Sequence, residues 1–222
     1  MSKQGEENPK KSKAHIDPPN MKQAKFRLIG DSPLVIRRFS QKTKQEMLEK
    51  MMRGPDKLKQ KKVHEKLDVE AAFNGARYIA PAGWDGFNAA SIRAAMISAC
   101  RLVNFKMTIA KLSVFVIPDG WDKFEPQIPL VRIYGKPEML QTIARVETGQ
   151  PYVVIRPCYQ TWEAHPLIEY DADQFTLDDV ANLLNRVGKQ VGLCEGRPDS
   201  KDSAGQGWGT FHVAKPGEGG AK

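Results

Sequence analysis

IAPAGWDGFNAASIRAAMISACR, residues 79–101, decides how the rest of the chain is read. Asn88 is a good N-cap, because its side chain can accept from a backbone N–H left open at a helix start. After it, Ile92, Ala95, Met96, Ala99 and Val103 recur at helical spacing. Ser91, Ala94, Ala95 and Ala99 are small. The stretch therefore predicts a helix capped by Asn88 whose small side chains let it sit close on a sheet.

Strands for that sheet lie on both sides. Upstream, FRLIGDSPLVIRRF (26–39) reads as strand, turn at Gly30-Asp31-Ser32-Pro33, and strand again. SQKTKQEMLEKMM (40–52) then predicts a helix capped by Ser40, with Met47, Leu48, Met51 and Met52 on one face. Gly54-Pro55 breaks it, and DKLKQKKVHEKL (56–67) predicts a second, strongly basic helix. Downstream, KLSVFVIP (111–118) and IPLVRIYG (128–135) read as a hairpin around Asp119-Gly120. PYVVIRPCYQTW (151–162) and HPLIEYD (165–171) read as another strand pair. TLDDVANLLNRVGKQVG (176–192) is a helix capped by Thr176, acidic at its start and basic towards its end. GWGTFHV (207–213) is a closing strand.

With the basic helical insertion at 40–67 and the extra β-hairpins set aside, the order is βαββαβ. That is the α+β, ferredoxin- or RRM-like core. A doubly wound fold fits less well, because the middle strands come as hairpins and do not alternate with helices. Residues 1–22 are polar and proline-bearing and read as a disordered tail. Residues 23–213 read as one domain, and 214–222 as a flexible tail.

The net charge is +8 and the pI about 9.3. A basic chain favours polyanionic partners through counterion release and long-range attraction. Cys100, Cys158 and Cys194 are odd in number and far apart, which fits a reducing compartment and not a disulfide framework. MSKQGEENPKKSKAH at the start has no apolar run of the kind a signal peptide needs. No apolar run approaches the roughly 20 residues of a membrane helix. We expect a cytoplasmic protein with no membrane partner.

Three stretches together resemble the RAMP superfamily, the RRM-like proteins that include backbone subunits of CRISPR effector complexes. LIGDSPLVI (28–36) resembles its opening strand and turn. Residues 79–101 resemble its proline-containing loop and small-residue helix. The glycine-rich stretch from Gly196 to Gly209 resembles the loop before its closing strand. Lys25–Val213 is also similar to phage-encoded proteins of unassigned function that end on a similar FHV strand. The resemblance implies an RNA or single-stranded nucleic-acid binder, in a phage or mobile-element setting, that forms a homo-oligomer or filament along the strand. One departure is Asp199 and Asp202 within the glycine stretch, which would repel phosphate unless turned away.

The residues point the same way by their chemistry. Between 40 and 67 there are nine Lys/Arg against four Asp/Glu. Lys42, Lys44, Lys57, Lys59, Lys61 and Lys62, with Arg37 and Arg38 leaving the first strand beside them, are candidates to track phosphates, a task that needs only charge and reach. Arginines recur beside aromatics at Arg77-Tyr78, at Arg132 and Tyr134, and at Arg156, Tyr159 and Trp162. Such pairs suit single strands, because every base offers a face for stacking. Arg132 and Tyr134 share a strand face. Arg93 and Trp208 complete the candidate set. The glycines 205, 207 and 209 read either as entry to the closing strand or as a close approach for ligand or neighbour, with Trp208 on the opposite face.

No cofactor is expected: GxxxxGK[ST] is absent, and no GxGxxG opens a helix. No Cys/His spacing predicts zinc, and Asp171 and Asp173 read as turn residues. His15, His64, His165 and His212 stand in no nucleophile arrangement. We therefore expect a non-enzyme. The alternatives are an assembly subunit without nucleic acid, or a metal-independent ribonuclease using His165 or His212.

Overall fold

In the computed structural model, residues 17–39, 41–53, 68–145, 151–200 and 205–219 are described. The first strands are β1 (Met21–Lys25), β2 (Leu28–Gly30) and β3 (Leu34–Val35). Helices α1 (Gln41–Arg53) and α2 (Val69–Gly75) follow, then β4 (Tyr78–Ile79) and β5 (Asp85–Asn88). Next come α3 (Ala89–Ala99), α4 (Met107–Ser113), β6 (Val114–Ile117) and β7 (Gly120–Trp121). The chain continues through β8 (Pro129–Tyr134), β9 (Glu138–Arg145), β10 (Pro151–Tyr159), β11 (Glu163–Ala164) and β12 (Leu167–Asp171). It closes with α5 (Leu177–Arg186) and β13 (Phe211–Val213). The protein is mixed α+β, with several antiparallel sheets.

The main sheet runs β13-β2-β11-β8-β5-β4, with β7 on β8. A second runs β1-β12-β6, and a third β3-β10-β9. The first two are continuous. Lys25 faces Leu167 and Leu28 faces Ala164, so β1/β2 and β12/β11 keep one register across the break. The break falls where Pro166 has no N–H to give; its carbonyl still accepts from Phe26 N at 3.1 Å.

Alternation sorts the side chains. Leu28, Ala164, Ile133, Phe87 and Phe211 point to one face and are buried there with Ile92 and Met96 of α3 and Val180 and Leu184 of α5. Asn88 caps α3 by accepting from Ala90 N, and Thr176 and Asp179 form a reciprocal capping box on α5. Among the described helices, α3 packs on this core face of β8; Leu130, Arg132 and Tyr134 point to the other side, where Leu130 is buried and Arg132 and Tyr134 are exposed.

Several expectations are corrected. The strand register begins at Met21, inside the segment read as a tail, because β12 supplies a partner for an otherwise polar stretch. KLSVFVIP is the end of α4 plus β6, and β6 pairs with β12, not with β8. The hairpin near Asp119-Gly120 is instead the short β7 against β8. β10 pairs with β9 and β3, not with the 165–171 strand. Gly205, Gly207 and Gly209 have φ of 71°, 74° and 68°, so they form left-handed turns and not a strand with period-two glycines. A Cβ on Gly209 would stand 2.0 Å from the Leu193 carbonyl oxygen, which shows why two backbone segments can pass there only without side chains. The final residues are also tied down: Arg27 Nη1 donates to the Glu218 carbonyl at 2.6 Å.

Candidate nucleic-acid interface

Arg132 and Tyr134 share one face of β8, as their two-residue spacing predicts, and it is the face turned away from α3. Between and beside them the structure builds a stack of four groups. The Arg132 guanidinium lies 4.8 Å from the Tyr134 ring centre and 6.0 Å from the Trp84 ring centre. Tyr134 stacks on His165 at 4.6 Å with 30° between the rings. His165 Nε2 is 3.5 Å from Glu163 Oε2, and Glu163 is held by Arg27 at 2.8 Å. The order along the surface is thus Trp84, Arg132, Tyr134, His165.

The backbone makes room for the first member. Gly86 sits opposite Arg132, and a Cβ there would meet the Trp84 ring at 3.1 Å. A Cβ on Gly120 would meet the same ring at 2.8 Å. The indole therefore lies against two glycines. Arg132 is exposed, and its guanidinium makes no ion pair among the described residues. Tyr134 is 42 % exposed. Planar groups with open edges and one free cation can accept a base between or upon them and a phosphate beside them. Trp84 and His165 were not in the candidate set. The signal for Trp84 was available, as GWDG puts glycines on both sides of it, but strand pairing brings Gly120 to it from 36 positions away.

The other candidates take different places. Trp162 is fully buried. Its Nε1 donates to the Ser32 carbonyl at 2.8 Å, and its ring meets Phe211 edge-on at 6.0 Å. It fills the space left by Gly30 and is closed to a base. Tyr159 is buried too, and burial together with the nearby Asp85 carboxylate pushes its phenol far up. Arg38 is 5 % exposed, bonded to Asp122 and Glu125 and lying against Tyr78 and Phe124, so it ties the β7–β8 loop to the chain after β3. Lys44 pairs with Glu125. Arg156 pairs with Glu195 at 2.7 Å. Arg93 donates to the carbonyls of Val114 and Lys111 and covers the edge of β6. Trp208 packs against Gly196 inside the glycine turn. Trp162, Tyr159 and Arg38 are buried and closed to a ligand, whereas Lys44, Arg156, Arg93 and Trp208 are partly exposed with partners in the fold. Arg77, in its bidentate bond to Asp85, is likewise engaged.

Arg37 remains open. It lies over Phe39 and borders a cleft of about 670 Å³ between α3 and the Cys194–Ser200 turn. Asp199 faces α3, accepting from Ser98 Oγ and Arg101, which turns its charge away from the glycine turn. Lys57, Lys59, Lys61, Lys62 and Asp202 lie outside the described residues, as does the side chain of Lys42.

For the histidines, both ring nitrogens of His212 are engaged, Nδ1 with Asp31 at 2.6 Å and Nε2 with Glu218 at 3.0 Å. Burial pushes the thiols of Cys100 and Cys158 up. Among the described residues, no group of three or more His, Cys, Asp or Glu is placed to hold a metal ion. None of the described helices is long and apolar enough to cross a membrane. No protein-family model matches the chain, and a search of curated proteins finds no match.

Proposed function

We propose that the protein binds single-stranded nucleic acid across the side of β8 turned away from α3, as an RRM-like domain of RAMP type that self-associates along the strand in a phage or mobile-element setting. The observation that carries this reading is the stack Trp84–Arg132–Tyr134–His165, in which Arg132 and Tyr134 are exposed between a half-buried Trp84 and a half-buried His165, and the guanidinium has no ion pair among the described residues. Stacking is available to unpaired bases and not to a closed duplex, which is why the reading prefers single strands. Strand order supports the fold part. β13-β2-β11-β8 is antiparallel throughout, with α3 between the first and second strands of the core and α5 between the third and fourth. This is the arrangement a split βαβ core needs.

The test is fluorescence anisotropy with labelled single-stranded DNA, single-stranded RNA and duplex DNA over a salt titration, comparing the parent with Tyr134→Ala. The parent should prefer single strands, with log K falling by about 0.7 per phosphate contact per decade of salt. Tyr134→Ala should weaken binding by about 1–3 kcal/mol. Equal, weak binding to all three ligands, unchanged in Tyr134→Ala, would overturn the reading. Assembly without nucleic acid would then lead, and the free edge of β9 favours it.

A further inference from the structure

β9 ends its sheet. Among the described residues it pairs with β10 alone, over eight registered positions from Arg145 opposite Pro151 to Glu138 opposite Cys158. Its outer edge presents backbone donors and acceptors with no strand beside them among the described residues. The residues are EMLQTIAR, with no Pro, Lys or Gly among them. Those are the residues that usually blunt an open edge. The other edges are managed: β1 carries Lys22 and Lys25, Arg93 covers β6, and β4 and β13 have two and three residues.

On one face of this hairpin Met139, Ile143 and Val153 are exposed, while Ile155 and Pro157 on the same face are buried; Tyr152 is exposed on the other. Met139, Gln141 and Ile143 of β9 stand beside Pro157, Ile155 and Val153 of β10. Met139 is 40 % exposed, Val153 51 % and Ile143 74 %. An unblunted edge and an exposed apolar row in one place mark an interaction surface.

We propose that this edge pairs with the same edge of a second copy of the chain, antiparallel, about a two-fold axis at Gln141. Symmetry narrows the choice. A two-fold axis perpendicular to the joined sheet keeps each side chain on its own face, so only residues of the same parity can face each other. Three such registers are centred in the strand. Centred on Leu140, Met139 meets Gln141 and Ile143 meets Pro137. Centred on Thr142, Met139 meets Arg145 and Gln141 meets Ile143. Centred on Gln141, Met139 of each copy meets Ile143 of the other, Leu140 meets Thr142, and the two Gln141 amides meet, each able to donate and accept. A fourth register, centred on Ile143, sets that residue against itself but Gln141 against Arg145; only the Gln141 register gives both Met139 and Ile143 an apolar partner. The rows would then run Val153–Ile143–Met139–Pro157 across both hairpins, within one sheet of six strands. The pairing deepens the self-association part of the proposed function, and it does not depend on base stacking.

The test is mild oxidation of the full-length chain carrying Gln141→Cys, beside the parent and Ile143→Cys. Opposed residues at the axis bring their Cβ atoms to about 4.5–5.5 Å, close to what a disulfide spans. Gln141→Cys should form a covalent dimer. In Ile143→Cys the two thiols would stand four residues apart, roughly 13 Å along the strand, so it should not cross-link, nor should the parent. Sedimentation of the reduced parent should show a dimer that Met139→Lys with Ile143→Lys dissociates, with thermal melting confirming that this variant folds. A monomeric parent at every concentration, a dimer untouched by the two lysines, or equal cross-linking at 141 and 143 would overturn the proposal. None of these results alters the Tyr134→Ala comparison with a short oligonucleotide, so the two readings fail separately.

Discussion

Tyr134 and Trp162 come from segments with the same sequence signature, an aromatic residue a few positions after an arginine, and they meet opposite fates. Glu163, the neighbour of Trp162, faces Tyr134 across β11 and β8. Trp162 itself points the other way, under α3 and α5, and is buried with Phe211 and Phe87. Arg132 stays with Tyr134 on the open face, while Arg156 is drawn to Glu195. The arginine–aromatic signature therefore reports a strand with mixed faces. Which face becomes a binding surface is set by where the helices land.

This contrast can be broken by substitution. Trp162→Ala should cost about 3–5 kcal/mol of stability, read from denaturant unfolding, because it empties a packed site and orphans the Ser32 carbonyl. Oligonucleotide affinity of the folded fraction should hold. Tyr134→Ala should do the reverse, losing affinity while stability moves by about 0.5 kcal/mol or less. Unfolding in Tyr134→Ala, or lost affinity in folded Trp162→Ala, would exchange the two roles.

Gly120→Ala sharpens the comparison. Its Cβ must push the Trp84 ring, which it would meet at 2.8 Å. A loss of affinity smaller than that of Tyr134→Ala, with a stability cost of about 1 kcal/mol, is expected. Unchanged affinity would take Trp84 out of the stack's function.

The smallest effect belongs to the far end of the sheet. Burial opposes charge on His212, but its bonds to Asp31 and Glu218 outweigh this and raise its pKa. Asp31 feels burial too, yet Lys189 and His212 lower its pKa; a backbone bond from Lys215 and the His212 bond lower that of Glu218. The histidine's contribution is thus full below about pH 6.5 and fades as pH rises through its raised value. The carboxylates' contributions fade as pH falls through their lowered values. The clasp on Ala214–Gly219, which Arg27 also holds, should be tightest in mildly acid solution. Hydrogen exchange of these amides should quicken from pH 6 to 8, after correction for intrinsic rates, and lose that excess in His212→Gln. Equal protection at both values would remove the clasp.

Local signals carried well where local physics dominates. The caps at Asn88 and Thr176 and the buried positions Ile92, Ala95, Met96 and Ala99 were legible, because a helix satisfies its backbone within itself. Val103, expected on that same stripe, is exposed, since the helix gives way to a tighter turn at Cys100. Helix α1 forms where expected, yet all four residues of its expected apolar face, Met47, Leu48, Met51 and Met52, are exposed among the described residues. The candidate site was half legible: two of its four members follow from alternation along β8.

By itself, then, the sequence determined α1, α3 and α5, the caps at Asn88 and Thr176, the α+β class, the basic charge and the shared face of Arg132 and Tyr134. All follow from contacts within a few residues. Tertiary structure alone decided which strands pair, that MKQAK is a strand, that Trp162 and Arg38 serve the fold, and that Trp84 and His165 join the stack. The physical reason is that a strand leaves its hydrogen bonds open to whichever segment arrives. Its partner, and the face its side chains show to water, are settled by residues far away in the chain.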